Sequence, residues 1–272
     1  MATTDWRPSS SELTDEMWAL IGDLFEVPER AGPRIGRPRK WTYRQVVEAI
    51  LYVLVTGCQW RQLPERYPHW NTVHRYHVGW SKDGTWEAAC ARLVALERQR
   101  QGRDVDPTAA VVDARTVKGA STVCGLTRGY DAGKKTVGRK LFGVVDTLGL
   151  LLAVVVVAAN VSDNLGGAVV IDAAAPKATR IKKLFADAGF KNKFINHIRV
   201  AHGIETETIE VKNLHTFEVQ PRRWVVERTF AWLTNSRRLR IDYERDPQVT
   251  EGFIYAAHTH MLLKRLTTTP NP

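Results

Sequence analysis

Apolar positions recur at helical spacing over residues 11–26, where Leu13, Trp18, Leu20, Ile21 and Leu24 share one stripe. Ser11 or Thr14 offers a cap for its start. Residues 42–56 are apolar around most of a helical circumference and stop at Gly57, which predicts a largely buried helix. Two further helices are predicted, one from near Asn71 and one after Gly84. Between the first two helices lies "VPERAGPRIGRPRK", whose Pro, Gly and Arg predict an exposed basic loop. Short helices joined by tight turns predict a small all-helical, helix-turn-helix-like domain over residues 1–104.

Near residue 105 the period shortens to that of strands. "TAAVVDART" is a short apolar run leading into Asp113, read as a buried strand ending on that residue. "RKLFGVVDTLGLLLAVVVVAANVSD" holds two β-branched runs split by "DTLG", which predicts a hairpin. A helix over 165–178, a strand running into Asp187, a helix over 192–203 and a strand over 205–213 come next. Helices over 221–240 and 248–265 complete the chain. The order β-β-β-α-β-α-β-α predicts a mixed α/β domain over 105–272, with five strands flanked by helices.

Composition is ordinary for a globular protein, but charge is not. Thirty-nine Lys and Arg against twenty-nine Asp and Glu give +10. Such a surplus suits a polyanionic partner through phosphate neutralisation and counterion release. Three isolated cysteines, Cys58, Cys90 and Cys124, form no C-x-x-C pair. That argues against structural zinc and a disulfide framework, and for a reducing compartment. No secretory signal opens the sequence, and its most apolar run, Leu148 to Ala159, is too short to span a bilayer. A soluble, cytoplasmic protein is expected.

Three carboxylates stand out as candidate chemistry. Asp113 and Asp187 follow strands, where open α/β sheets place ligands, although an Asp after a strand is commonly a turn former. Glu227 stands in the apolar helix "RWVVERTFAWL", four residues after Arg223. It is either a surface partner of Arg223 across one turn or a third member of a metal site.

The blocks "VVDARTVKGA", "RGYDAGKKTVGRKLFGVVDTLGLLLAVVV", "LFADAGF" and "PRRWVVERTFAWLTNSRRLRIDYE" resemble the DDE transposases of the IS5 family of bacterial insertion sequences. The first hundred residues, with "GRPRKWTYRQVVEAILYVLVTGCQWRQLPERYPHWNTVHRYHVGW", resemble that family's N-terminal helical module. The resemblance implies an RNase H-like catalytic domain with Asp113, Asp187 and Glu227 as catalytic, metal-binding residues. It implies two Mg²⁺ ions (Mn²⁺ as a substitute) and hydrolysis at the element's ends, followed by transfer of the freed 3′-OH to target DNA. Arg223 and Glu227 match the family's glutamate block, while Gln220 and Thr234 depart from it, leaving Arg237 and Arg238 as the nearest later cations to contact a strand. Asn160 stands where relatives often carry an acidic residue, with Asp163 close by.

Double-stranded DNA is thus the expected partner, with two copies of the chain pairing two ends, and a nucleoid association when bound. Arg34, Arg37, Arg39 and Lys40 form a candidate minor-groove arm, for which a plain basic linker is the alternative. Asn71, Thr72, His74 and Arg75 are candidate base readers at a helix start, whereas His77 and Trp80 are expected in the core. Lys134, Lys135, Arg139 and Lys140 form a basic block for phosphates, or else a solvated loop. His197, His202, His215, His258 and His260 have no zinc spacing and read as packing or surface residues. Two rivals remain: an RNase H-like nuclease that cuts without joining, and a transposase-derived DNA-binding protein.

Overall fold

In the computed structural model, which describes residues 11–26, 40–209 and 224–268, the chain opens with α1 (Asp15–Phe25), α2 (Tyr43–Thr56), α3 (Trp70–Lys82) and α4 (Thr85–Arg100). Thr14, rather than Ser11, caps α1 by accepting from Met17 N at 3.2 Å. Thr42 and Gln45 close a reciprocal capping box on α2, which ends at Gly57 in the left-handed region (φ 70°). Phe25 meets Trp80 and Trp86 edge-on, each with centroids 4.9 Å apart. His77 and Trp80 are buried in this core, and burial brings the His77 pKa down to about 3, so the ring is neutral.

The sheet contains β1 (Ala109–Lys118), β2 (Gly129–Asp131), β3 (Thr136–Asp146), β4 (Leu151–Ala158), β5 (Lys183–Asp187) and β6 (Glu205–Ile209). Its ranks run β4-β3-β1-β5-β6, with β1, β5 and β6 parallel and β3 antiparallel to β1 and β4. These are the five expected strands of the α/β, RNase H-like reading. The sixth, β2, pairs with the start of β3 on the edge opposite β1. It precedes the basic block, and its three residues, Gly129, Tyr130 and Asp131, are too few to carry an apolar alternation that would announce a strand. Residues 210–213 of the strand expected over 205–213 lie outside the described residues.

Period-two alternation divides the sheet between two cores. Ala110, Val112, Phe142, Val144, Leu184 and Ala186 face α5 (Asp163–Ala174) and α6 (Asn192–His202). Val111, Leu141, Val145 and Phe185 face α7 (Trp224–Leu233), α8 (Pro247–Thr267) and the first four helices, which share one hydrophobic core with them. Gly166 lets α5 lie directly on the sheet, since a Cβ there would stand 2.1 Å from the buried Phe142 ring. The helix expected over 221–240 stops at Leu233, and a single 3₁₀ turn (Arg237–Leu239) follows.

Helix α8 covers the edge of the sheet in an unusual way. Edge strand β4 leaves N–H groups without a strand partner, and three side chains spaced i, i+4, i+7 along α8 accept them. Glu251 Oε1 accepts from Val156 N (2.8 Å), Tyr255 Oη from Val154 N (3.3 Å), and His258 Nε2 from Leu151 N (3.1 Å). Among the described residues, no helix is long and apolar enough to cross a membrane.

Candidate active site

Asp113 lies in the interior of β1, which continues to Lys118 instead of ending there. Strands β1 and β5 are paired only as far as Val111 and Phe185. Two residues further along each, past the point where the pairing stops, stand Asp113 and Asp187. Side chains two residues on share the face of their predecessors, so both aspartates lie on the face of Val111 and Phe185, where α7 packs. Each is tied to its own backbone: Asp113 Oδ1 accepts from Ala114 N (2.7 Å), and Asp187 Oδ1 from Gly189 N (2.9 Å).

Helix α7 brings the third carboxylate to that face. Val225, Val226, Phe230 and Leu233 are buried beneath it, and Phe230 lies against Gly143, the residue opposite Asp113 in β3. Arg115 Nη1 donates to the Phe230 carbonyl at 3.2 Å, pinning the helix to β1. Glu227 is exposed and lines the cleft along the same helical stripe as Phe230, Ala231 and Thr234. Trp224 is 39% exposed, with the Arg228 guanidinium 4.2 Å from its ring centroid. Arg223 and its possible pairing with Glu227 lie outside the described residues.

Asp113, Asp187 and Glu227 line one cleft of about 770 Å³. Two more carboxylates share its walls, and sequence reasoning assigned a role to neither. Asp131, in β2, accepts from the Thr116 hydroxyl, which holds its carboxyl below the usual range. Asp163, rather than Asn160, reaches the cleft, at the first turn of α5. Lys140 binds Asp163 (3.2 Å) and the Val161 carbonyl (2.9 Å) there, so this lysine neutralises a wall of the cleft. Among the described residues no His or Cys lines it, and an all-carboxylate donor set suits a hard divalent cation. Among the described residues, the one group of three metal-type ligands whose donor atoms all lie within 4.8 Å of one another is elsewhere, on α5 and α6.

The basic residues divide by location. Lys134 and Lys135 are exposed at the turn of the β2–β3 hairpin, and Lys134 lines the cleft. Arg139, expected on the DNA surface, is instead fully buried. Its guanidinium binds Asp242 (2.9 Å), Thr250, Thr127 and the carbonyls of Thr127, Glu244 and Arg245, leaving nothing for a phosphate. Arg238 is likewise buried, held by Glu244 (2.6 Å) and the Cys58 carbonyl, while Arg237 is exposed. A sequence pattern treats adjacent cations alike, but a strand and a 3₁₀ turn send neighbouring side chains in different directions.

On α3, Asn71, Thr72 and Arg75 are exposed. His74 is half-buried with its ring 5.1 Å edge-on from Trp60, and burial lowers its pKa. Lys40 is exposed, 5.3 Å over the Trp41 ring, and Arg34, Arg37 and Arg39 lie outside the described residues.

Comparison with known proteins gives two family matches. Residues 13–90 match a family described as "Putative transposase of IS4/5 family", and residues 104–262 match "Transposase DDE domain". Two curated proteins of Burkholderia cepacia are similar over shorter stretches. The "Putative transposase for insertion sequence element IS402" is 33% identical over 124 residues, 43% of this chain and 59% of that protein. The "Insertion element IS402 uncharacterized 16.2 kDa protein" is 29% identical over 119 residues, 42% of this chain and 80% of that protein. The chain thus spans about three fifths of the first of these relatives. With the second match covering more than half of its length, the chain belongs to the family of transposases with a DDE domain.

Proposed function

We propose that this protein is a DNA transposase of an insertion sequence, which binds the element's terminal inverted repeats, hydrolyses the phosphodiester at its ends and joins the 3′-OH to target DNA. The observation that carries the reading is the meeting of Asp113, Asp187 and Glu227 on one face of the sheet, in one cleft. Bound there by these three carboxylates, a pair of Mg²⁺ or Mn²⁺ ions would supply a nucleophilic oxygen at neutral pH and stabilise the leaving oxygen. The protein's own work is positional. Strand pairing fixes two of the carboxylates, and the packed α7 fixes the direction of the third. Lys134 and Lys135 hold phosphates at the rim, which orients the duplex without reading its sequence. Asn71, Thr72 and Arg75 at the start of α3 are the base readers within residues 1–104, with Arg237 as a further phosphate contact. Residues 105–272 carry the chemistry, and two copies pair two DNA ends in the cytoplasm, at the nucleoid.

The test is Mg²⁺-dependent cleavage of terminal-repeat DNA by the wild type and by Glu227→Gln or Asp113→Asn. Losing a cation ligand removes several kcal/mol of transition-state stabilisation, so cleavage falls by about a hundredfold or more while DNA binding persists. Equal cleavage by variant and wild type sinks the assignment. Joining of cut ends to a second DNA separates a transposase from a nuclease that only cuts.

A further inference from the structure

The tightest set of metal-type donors among the described residues lies on the helices that cover the other face of the sheet, away from α7. Asp172 stands in the last turn of α5, and His197 and His202 on α6, which Gly203 ends immediately afterwards. Both imidazoles present the same atom to the same carboxylate. His202 Nε2 is 2.6 Å from Asp172 Oδ1, and His197 Nε2 is 3.0 Å from it. The ring planes stand at 79° to each other, with centroids 6.2 Å apart, so the two nitrogens approach from different directions. The side chains of Asp172 and His197 are 46% and 43% exposed, leaving the group open to solvent.

We propose that Asp172, His197 and His202 form a second metal site, selective for a borderline divalent ion such as Zn²⁺ and distinct from the carboxylate cleft. Two imidazoles and one carboxylate are a ligand set that Zn²⁺ takes in tetrahedral geometry, with water in the fourth position. Metal–ligand bonds of about 2.0–2.1 Å place tetrahedral donors roughly 3.3 Å apart. The observed 2.6 and 3.0 Å separations therefore need to open by about 0.7 and 0.3 Å. On binding, each Nε2 lone pair coordinates the ion and the ring proton resides on Nδ1, so the two hydrogen bonds to Asp172 are exchanged for two metal bonds. Donor chemistry separates the two sites: Mg²⁺ prefers an all-oxygen set, and imidazole favours Zn²⁺.

The ion would clamp α6 onto α5. Asp163, on the cleft wall, is nine residues from Asp172 along α5, about 13 Å at 1.5 Å per residue. The clamp therefore braces the two helices behind the cleft without touching its carboxylates. Asp172 is 25 residues from His197 and 30 from His202, separated by a strand and parts of two helices. His197 and His202 have four residues between them, within the H-x₃₋₅-H interval of zinc sites and contrary to the expectation that these histidines lack zinc spacing, but the third ligand comes from a different element and completes no sequence motif.

The experiment is calorimetric titration of the full chain with Zn²⁺ in excess Mg²⁺, repeated on His197→Ala/His202→Ala and on Asp113→Asn. The expected result is one Zn²⁺ bound by the wild type and by Asp113→Asn, and binding weakened about tenfold or more in the double His variant. Zinc should raise the melting temperature of the wild type and leave that of the double variant unmoved. His197 is exposed and His202 partly buried, and matching circular dichroism and metal-free melting of the double variant establish that it is folded. The inference is overturned if the wild type binds no Zn²⁺, if the double variant binds it equally, or if binding is lost in Asp113→Asn instead.

Discussion

Arg139 illustrates how far a single residue's role depends on direction. In sequence it belongs to a run of cations, and in the structure it is buried with every guanidinium nitrogen hydrogen-bonded. It ties β3 to the segment around Asp242–Thr250. Removing one partner of a buried ion pair leaves the other charge without compensation, so Arg139→Ala should cost about 3–5 kcal/mol, read from urea unfolding. Lys135→Ala, at an exposed turn, should leave stability within about 0.5 kcal/mol of the wild type. If both variants unfold at the same urea concentration, the buried assignment of Arg139 is wrong.

At the scale of elements, α8 and β4 form one cooperative unit, because helix side chains serve the strand's N–H groups. Burial, reinforced by the nearby Glu87 charge and opposed by the Val156 N–H, pushes the Glu251 carboxyl up to about 7. A folded pKa above the ordinary 4.5 favours the protonated form in the native state. The stability this contributes is complete below pH 4.5 and is lost as pH rises through 7. Glu251→Gln keeps an oxygen for Val156 N and cannot ionise. Its melting temperature should match the wild type's in acid and exceed it above pH 7, by the equivalent of up to about 3 kcal/mol. A difference that does not change with pH would refute the burial argument. Tyr255→Phe strands the Val154 N–H and should cost about 1–3 kcal/mol by the same melts. The helices and strands themselves were legible in the spacing of apolar residues. Strand β2 was not, because three residues in a basic hairpin have no apolar face to declare them.

For the whole molecule, a net charge of +10 predicts salt-sensitive DNA binding. Every cation that neutralises a phosphate steepens the fall of log K with log salt by about 0.9. Lys134→Ala/Lys135→Ala should therefore reduce that slope by nearly two, measured by fluorescence anisotropy over a salt series. An unchanged slope would remove the hairpin turn from the DNA surface. Charge is distributed by the fold and not by the composition. Two of the cations singled out in sequence, Arg139 and Arg238, are consumed as internal ion pairs, and Lys140 neutralises Asp163 at the cleft. The basic surface left for a polyanion is accordingly narrower than the cation count suggests.

By itself the sequence determined the class of fold, the alternation of strands and helices, the three candidate carboxylates and the resemblance to DDE transposases. Those readings need only local information: the period of apolar residues, turn chemistry and ordered motif blocks. Tertiary structure alone decided that Asp113, Asp187 and Glu227 line one cleft, that Asp131 and Asp163 join them, and that Arg139 and Arg238 turn inward. It alone brought Asp172 to His197 and His202. Convergence depends on strand register and on the direction in which helices pack, and both are set by contacts between segments far apart in the chain.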